Sequence, residues 1–261
     1  MNGRDKGSDN VSHSGGNPEF WKDEFVREYE HHQYLVSEKK EEVLHSITRI
    51  INYFCRLYLI DNPLILDVGC GPGSRTTLCV YVLGKVHNSI VVGVDSSKEM
   101  IQAAKKNLTS KNKERFSGYL SDFNSDRFWI PEIDKEYDFI VSSGALHYLS
   151  DRRRKPFFRQ IFDHLKDNGV LVACIGNKSV VPEVAEMEHL FRVQFTHNQL
   201  EETKRPKDFE EFKKSVEEKD KKASINWQSY SEYLNCMKSA GFTKADVVWH
   251  LWIRSIFVAL K

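Results

Sequence analysis

Long apolar runs are missing from this sequence. No stretch approaches the roughly twenty residues that a bilayer-spanning helix requires. The opening segment, MNGRDKGSDNVSHSGGNPEF, is polar and glycine-rich, without the apolar core of a signal peptide or the arginine excess of a transit peptide. A soluble, cytoplasmic protein with a disordered tail over residues 1–17 is the expectation. An excess of either charge is missing too. Lys and Arg total 38 against 37 Asp and Glu, a net charge of +1. No overall basic field draws the chain to nucleic acid. Paired cysteines are the third absence: Cys55, Cys70, Cys79, Cys174 and Cys236 are scattered, with no CxxC and no histidine at metal-ligand spacing. They read as reduced thiols, mostly in apolar surroundings, and no metal site is expected.

What is present is alternation. From Phe20 to Phe54 apolar residues recur in threes and fours, a helical pattern that His31-His32-Gln33 interrupts. After Asn62-Pro63 come short apolar runs and amphipathic stretches in turn. Strands are predicted at Leu64 to Val68, Ser89 to Asp95, Phe116 to Leu120, Tyr137 to Val141 and Val170 to Ile175. Helices are predicted at Thr76 to Leu83, Ser97 to Leu108 with Ser97 as its cap, and Lys155 to Leu165. This rhythm implies a doubly wound parallel sheet. A charge-dense segment follows and reads as a helical cap inserted over residues 177–229. The chain ends with a helix from Tyr230 to Ala240 stopped by Gly241, then two strands, Ala245 to Trp249 and Ser255 to Leu260, able to pair antiparallel. At 261 residues this makes one large domain, 18–261, with an insertion.

The strongest chemical signal is Leu66-Asp67-Val68-Gly69-Cys70-Gly71-Pro72-Gly73, between a predicted strand and a predicted helix. Glycines there let the backbone approach a ligand closely and turn sharply. The register is GxGxG with Ser74 next, not the GxGxxG of dinucleotide binding, which weakens a nicotinamide reading. Asp95 ends the second strand beside this loop, where a carboxylate can accept both hydroxyls of a ribose. Helix capping is its plainer alternative. Asp122 ends the third strand and could accept from an adenine amino group with the Phe123 amide as partner, or simply form a turn.

These residues resemble the class I S-adenosylmethionine-dependent methyltransferases, and the likeness runs from about Phe20 to the end. Asp67, Gly69, Gly71 and Gly73 match the family's first motif and Asp95 its second-strand acid. The resemblance implies a seven-stranded Rossmann-like α/β sheet in the order 3-2-1-4-5-7-6, the last strand antiparallel, and S-adenosyl-L-methionine as cofactor. It places Asp67 near the methionyl amino group, the glycine loop against ribose and methionine, Met100 on the adenine, and a backbone contact at Ser143. It also implies a lid from the helix carrying Phe25 and Tyr29, although Tyr29 is equally readable as core.

The loop Val141 to Leu149, with Ser143, His147 and Tyr148, looks like the place where cofactor and acceptor meet. His147 could be a general base or a positioning hydrogen-bond partner. An aromatic set, Phe191, Phe195, His197, Trp227, Tyr230, Trp249 and Trp252, either lines an acceptor pocket or closes the core. Base-amine, pyrimidine-C5 and arsenite methylation signatures are absent. The expected activity is in-line methyl transfer to oxygen, nitrogen or sulfur of a small-molecule acceptor. The alternatives are a tRNA-modifying methyl or carboxymethyl transferase, for which Arg75, Arg254 or Arg27 could face a carboxylated cofactor, and a non-catalytic cofactor-binding module.

Overall fold

The described residues of the computed structural model are 37–74, 77–200, 206, 208–223 and 225–261. The expected tail, the helical pattern before Ser37, Tyr29 and Arg75 lie outside them. Seven strands form one sheet: β1 (Leu64–Val68), β2 (Ile90–Asp95), β3 (Phe116–Leu120), β4 (Tyr137–Ser143), β5 (Leu165–Gly176), β6 (Lys244–Leu251) and β7 (Arg254–Leu260). Their order is β3-β2-β1-β4-β5-β7-β6, as expected. The first five are parallel, and β7 runs antiparallel between β5 and β6.

Central strands of a parallel sheet are covered on both faces and read as continuous apolar runs. β1 and β4 accordingly have nearly every residue buried. One face is covered by α1 (Lys40–Leu57) and α2 (Leu78–Lys85). In α1, Val43, Leu44, Ile47 and Ile51 keep helical spacing and are fully buried against Ile65, Phe139 and Val172. The other face is covered by α5 (Asp151–Asp163) and α8 (Tyr230–Ser239), through Phe157, Phe158 and Ile161 and through Tyr233 and Met237. Each such side chain contributes on the order of 2 kcal/mol when fully buried. Tyr137 is buried with its hydroxyl donating to the Ile133 carbonyl at 3.0 Å, so its polar atom carries no desolvation deficit.

Beside β2 and β3 lie α3 (Lys98–Asn107) and the short α4 (Ser110–Lys113). Ser97 caps α3, its hydroxyl accepting from the Met100 amide at 3.1 Å. Between β5 and α8 the chain forms α6 (Pro182–Gln199) and α7 (Phe209–Lys222), joined by the paired contacts of Arg192 with Asp220. No helix among the described residues is long and apolar enough to cross a membrane.

Some boundaries differ from expectation for identifiable reasons. Helix α5 begins at Asp151, four residues early, and carries Pro156 inside it. The earlier turn is held from outside: Asn124 accepts from the Ser150 amide, and Arg154 reaches Asp151 and the Leu149 carbonyl. β5 begins at Leu165 because the Asp167-Asn168-Gly169 turn is an irregularity within the strand, with Asn168 at φ +63° and the pairing with β4 shifting between Tyr137 and Phe139.

Gly73 shows how the fold constrains the glycine motif. It has φ +64°, and a Cβ there would lie 2.7 Å from the Ala104 Cα in α3. The motif's third glycine is required by helix packing, not by an open ligand face. Gly73→Ala is expected to lower stability by about 2–4 kcal/mol, combining left-handed strain with displaced helix backbone. Chemical denaturation measures this, and a change below about 0.5 kcal/mol would mean that α3 yields freely.

Candidate active site

All parallel strands end at one edge, and the strand order reverses between β1 and β4, where an open α/β sheet leaves a crevice. The cleft there is lined by Gly69 and Gly71 after β1, Asp95 and Ser96 after β2, Met100 on α3, Asp122, Phe123 and Asn124 after β3, and Ser143, Gly144, Ala145 and Tyr148 after β4. Gly69, Gly71 and Gly144 hold φ of +72°, +65° and +78°, the left-handed region that glycine enters without penalty. At Gly69 a Cβ would lie 2.3 Å from that of Ala145, so the two loops touch.

Asp95 organises this edge. One carboxylate oxygen accepts from the Gly71 amide at 3.1 Å and the other from the Ser97 amide at 3.0 Å. The acid therefore ties the glycine loop to the start of α3 and still faces the cleft. Burial raises its pKa to about 6, with the Ser97, Gly71 and Ser96 amides pulling it back. Asp122 also has two attachments: it lines the cleft while its Oδ1 accepts from the Asn124 amide at 2.8 Å, closing its own turn. Asn124 in turn donates to the Tyr148 carbonyl and accepts from the Ser150 amide, which locks the β3 turn to the β4 loop.

Asp67 sits under the glycine loop, 1% exposed, and neither carboxylate oxygen has a hydrogen-bond partner among the described residues. Burial raises its pKa to about 7 and the charge of Asp95 adds to this, while the Cys79 amide, which points toward it short of hydrogen-bond geometry, and Lys40 oppose it. A buried unpartnered carboxyl costs stability unless a cation or donor meets it. The Ser143 hydroxyl is likewise buried without a partner among the described residues.

His147 lies in a 3-10 turn, Leu146–Tyr148, beside the cleft but not lining it. Its ring lies parallel to that of Trp227 at 6.2 Å and against Tyr148 at 4.3 Å, and its Nδ1 is buried without a partner among the described residues. Burial, then the charges of Arg254, Arg192 and Lys40, lowers its pKa to about 3.

The structure thus brings together Gly69, Gly71, Asp95, Met100, Asp122, Phe123, Ser143 and Tyr148. Asp67 lies beneath them and His147 beside them. Gly73 faces α3, and Tyr29 is outside the described residues. Trp249 lies elsewhere: on β6 it donates to Glu42 at 3.0 Å and lines a groove against α1 with Tyr53 and Phe54. The strand that carries it is at the sheet edge, away from the crevice. The aromatic set does not converge either. Phe191 packs on Trp252, His197 on Phe209 and Phe212, and Tyr230 on His250, leaving Trp227 beside His147. Ser96, Asn124, Gly144 and Ala145 were not anticipated. Asn124 follows the Asp122-Phe123 pair directly, so turn chemistry was the signal for it.

A methyltransferase-domain family model matches residues 65–169, the span that carries all of these strand ends. Over those residues the chain is a methyltransferase domain of the class I, S-adenosylmethionine-dependent kind. A carboxy-S-adenosyl-L-methionine synthase from Nautilia profundicola is 22% identical over 213 residues, covering 78% of this chain and 80% of that protein. A trans-aconitate 2-methyltransferase from Azoarcus sp. is 31% identical over 116 residues, 44% of this chain, which spans only 40% of that relative. Among solved structures, the plantazolicin methyltransferase BpumL in complex with a triazolic desmethylPZN analog and SAH superposes with a TM-score of 0.62 at 12% identity, over 93% of this chain and 92% of that one. The YcgJ protein of Bacillus subtilis gives 0.58 at 16% identity, over 85% and 98%.

For this methyltransferase the state of Asp67 has a measurable consequence. Its folded pKa, about 7, exceeds the ordinary 3.8, so folding favours the neutral acid. Its contribution is most favourable below about pH 4 and is lost as pH rises through 7. In the absence of cofactor, Asp67→Asn is expected to gain stability over wild type as pH rises from about 5 to 8, by up to a few kcal/mol. Thermal melts of both proteins across that range check this; a pH-independent difference would show that Asp67 is not held neutral.

Proposed function

We propose that this chain transfers a methyl group from S-adenosylmethionine to a small organic acceptor by direct in-line displacement. The observation that carries the reading is the buried carboxyl of Asp67, unpartnered among the described residues, beneath left-handed glycines at the same strand edge as Asp95. A cationic ammonium group would satisfy that carboxyl, and the glycines leave room for a ligand to approach the backbone.

The cofactor, when bound, supplies a methyl group on a positively charged sulfur that departs as a neutral thioether. The chain's own residues bind, orient and exclude water. Asp67 would meet the amino end of the methionine part. Asp95, with its oxygens already fixed by two amides, would accept from ribose hydroxyls at low reorganisation cost. Met100 and Phe123 would flank the base, with Asp122 at its edge. Ser143 and the loop to Tyr148 would border the acceptor, and α6 and α7 would cap it. His147 is poorly suited to remove a proton: with a pKa near 3 it stays neutral at physiological pH and its conjugate acid is strongly disfavoured. Its role in this reading is positional, and the acceptor arrives with its lone pair available. Binding energy goes to alignment of the nucleophile with the methyl carbon. A tRNA acceptor is disfavoured because acids interleave with the lysines of α7, so that helix is not a wholly basic segment.

Calorimetric titration with S-adenosylmethionine and S-adenosylhomocysteine tests this, with NAD as control. Micromolar affinity, about −8 kcal/mol, is expected, falling about tenfold or more in Asp95→Ala. Absence of binding would overturn the reading, and binding without methyl transfer to any acceptor would make the chain a cofactor-binding module.

A further inference from the structure

The loop after β4 is gripped by two segments that belong to different parts of the molecule. Its 3-10 turn, Leu146–Tyr148, is closed by the Tyr148 and Leu149 amides donating to the Ala145 and Leu146 carbonyls, so the carbonyls of His147, Tyr148 and Leu149 have no partner within the turn. Backbone acceptors shielded from water must find partners elsewhere. Two asparagines supply them in alternation. The Asn226 backbone amide donates to the His147 carbonyl at 2.9 Å, the Asn124 side-chain amide to the Tyr148 carbonyl at 3.1 Å, and the Asn226 side-chain amide to the Leu149 carbonyl at 3.3 Å. The next two residues repeat the pattern: the Ser150 amide donates to Asn124 Oδ1 at 2.9 Å, and Asn226 Nδ2 donates to Asp151 Oδ1 at 3.0 Å.

Asn124 belongs to the cofactor side. Its amide donates to Asp122, closing the turn after β3, and it lines the cleft with Phe123 and Tyr148. Asn226 lies in the irregular segment between α7 and α8 and does not line the cleft. That segment is tied to the cap. The Ile225 amide donates to the Asp220 carbonyl of α7, the Lys178 amide donates to the Gln228 carbonyl, and Arg192 of α6 lies 5.6 Å over the Trp227 ring while pairing with Asp220. A Cβ on Gly176 would lie 3.2 Å from both the His147 and Trp227 rings, so these rings meet over the end of β5 with no slack beneath them. A loop bonded at five consecutive residues to two segments passes a displacement of one segment to the other, because packed elements shift together and do not stretch. A ligand settling against Asp122 and Phe123 thus bears on Asn124, then on Tyr148, then on Asn226 and Trp227.

Resting on the methyl-transfer reading, we propose that Asn226 is a positioning residue: with Asn124 it sets Tyr148 at the cleft wall, and through this pair cofactor binding is coupled to the placement of the cap segment that carries Trp227. Fluorine NMR of the full chain labelled with 5-fluorotryptophan reads the coupling, the Trp227 resonance being assigned with Trp227→Phe. S-adenosylhomocysteine is expected to shift that resonance although Trp227 does not line the cleft. Asn226→Ala is expected to lose most of the shift while binding S-adenosylhomocysteine within about tenfold of wild type. A staple with no part in the coupling would lower the melting temperature and leave the ligand-induced shift in place, which overturns the proposal. So does a wild-type resonance that ignores bound ligand, and so does a loss of affinity in Asn226→Ala greater than about tenfold, which would make Asn226 a residue of the cofactor site or of the fold. Should Asn226→Ala not fold, Asn226→Asp sets two carboxylates together and should lose the response, and adding Asp151→Asn, which exchanges donor and acceptor, should restore it; no recovery overturns the proposal. Failure of wild type to take up S-adenosylhomocysteine would instead overturn the reading on which the proposal rests.

Discussion

One carboxylate holds the two cofactor-side loops in register. Asp95 accepts the Gly71 amide with one oxygen and the Ser97 amide with the other, so the turn after β1 and the helix start after β2 share a fixed anchor. Without it, two free backbone donors would remain near the cleft, and the left-handed glycines would lose the contact that selects their conformation among those open to glycine. The position of Met100 follows from the same anchor, because its amide is held by the hydroxyl of Ser97, the residue whose own amide Asp95 accepts. On the far side, Asn124 couples the β3 turn to the β4 loop in the same manner. The cleft is therefore shaped before any ligand arrives, which is the condition for electrostatic contacts to act without reorganisation.

That preparation works against the fold. Asp67 and Asp95 are pushed toward their neutral acids, and Lys40 and His147 toward their neutral bases, all chiefly by burial. Each is a charge that the folded chain holds less readily than water does. The two apolar layers on either side of the sheet sustain this, with Phe139, Val141 and Val172 on the α1 face and Phe157, Phe158 and Tyr233 on the other. A site that disfavours its own charges gains the most from a ligand that brings a missing counter-charge, as a cation would for Asp67.

Local chemistry was legible in the sequence wherever one segment decides the outcome. β1 and β3 fall on the expected residues, Ser97 caps the predicted helix, and Gly241 ends α8 at φ +118°. The glycine motif and its two strand-end acids came from neighbours in sequence. What was not legible depends on partners far away along the chain. The start of α5 is set by Asn124, twenty-six residues before Ser150. Gly73 reads as a ligand-facing glycine until Ala104 is seen beneath it. Trp249 is aromatic and close to the end of the chain, as an acceptor-binding residue would be, but only the sheet order shows that β6 is the outer strand. His147 carried no local sign of its environment, since its basicity is depressed by burial and then by cations from α1, α6 and β7.

The antiparallel strand connects these observations. In a wholly parallel sheet, a residue at a strand start lies at the edge opposite the cleft. Reversal of β7 inverts this for Arg254 and places it level with Gly176, at the end of β5. The tight connection from β6 then follows: Leu251 pairs with Arg254 across it, and Trp252 takes φ +48° in the turn. That turn therefore lies on the cleft side of the sheet, while the other end of the hairpin, Lys244 opposite Leu260, is remote from it. The cofactor loops belong to the first half of the chain, and the hairpin adds a side chain of opposite charge to the acids those loops supply. The acids of the cofactor loops and the guanidinium of Arg254 are thereby sorted to different parts of one edge by strand direction alone. Such sorting puts the opposite charges on separate segments, so that either hairpin or loop can change without dismantling the other.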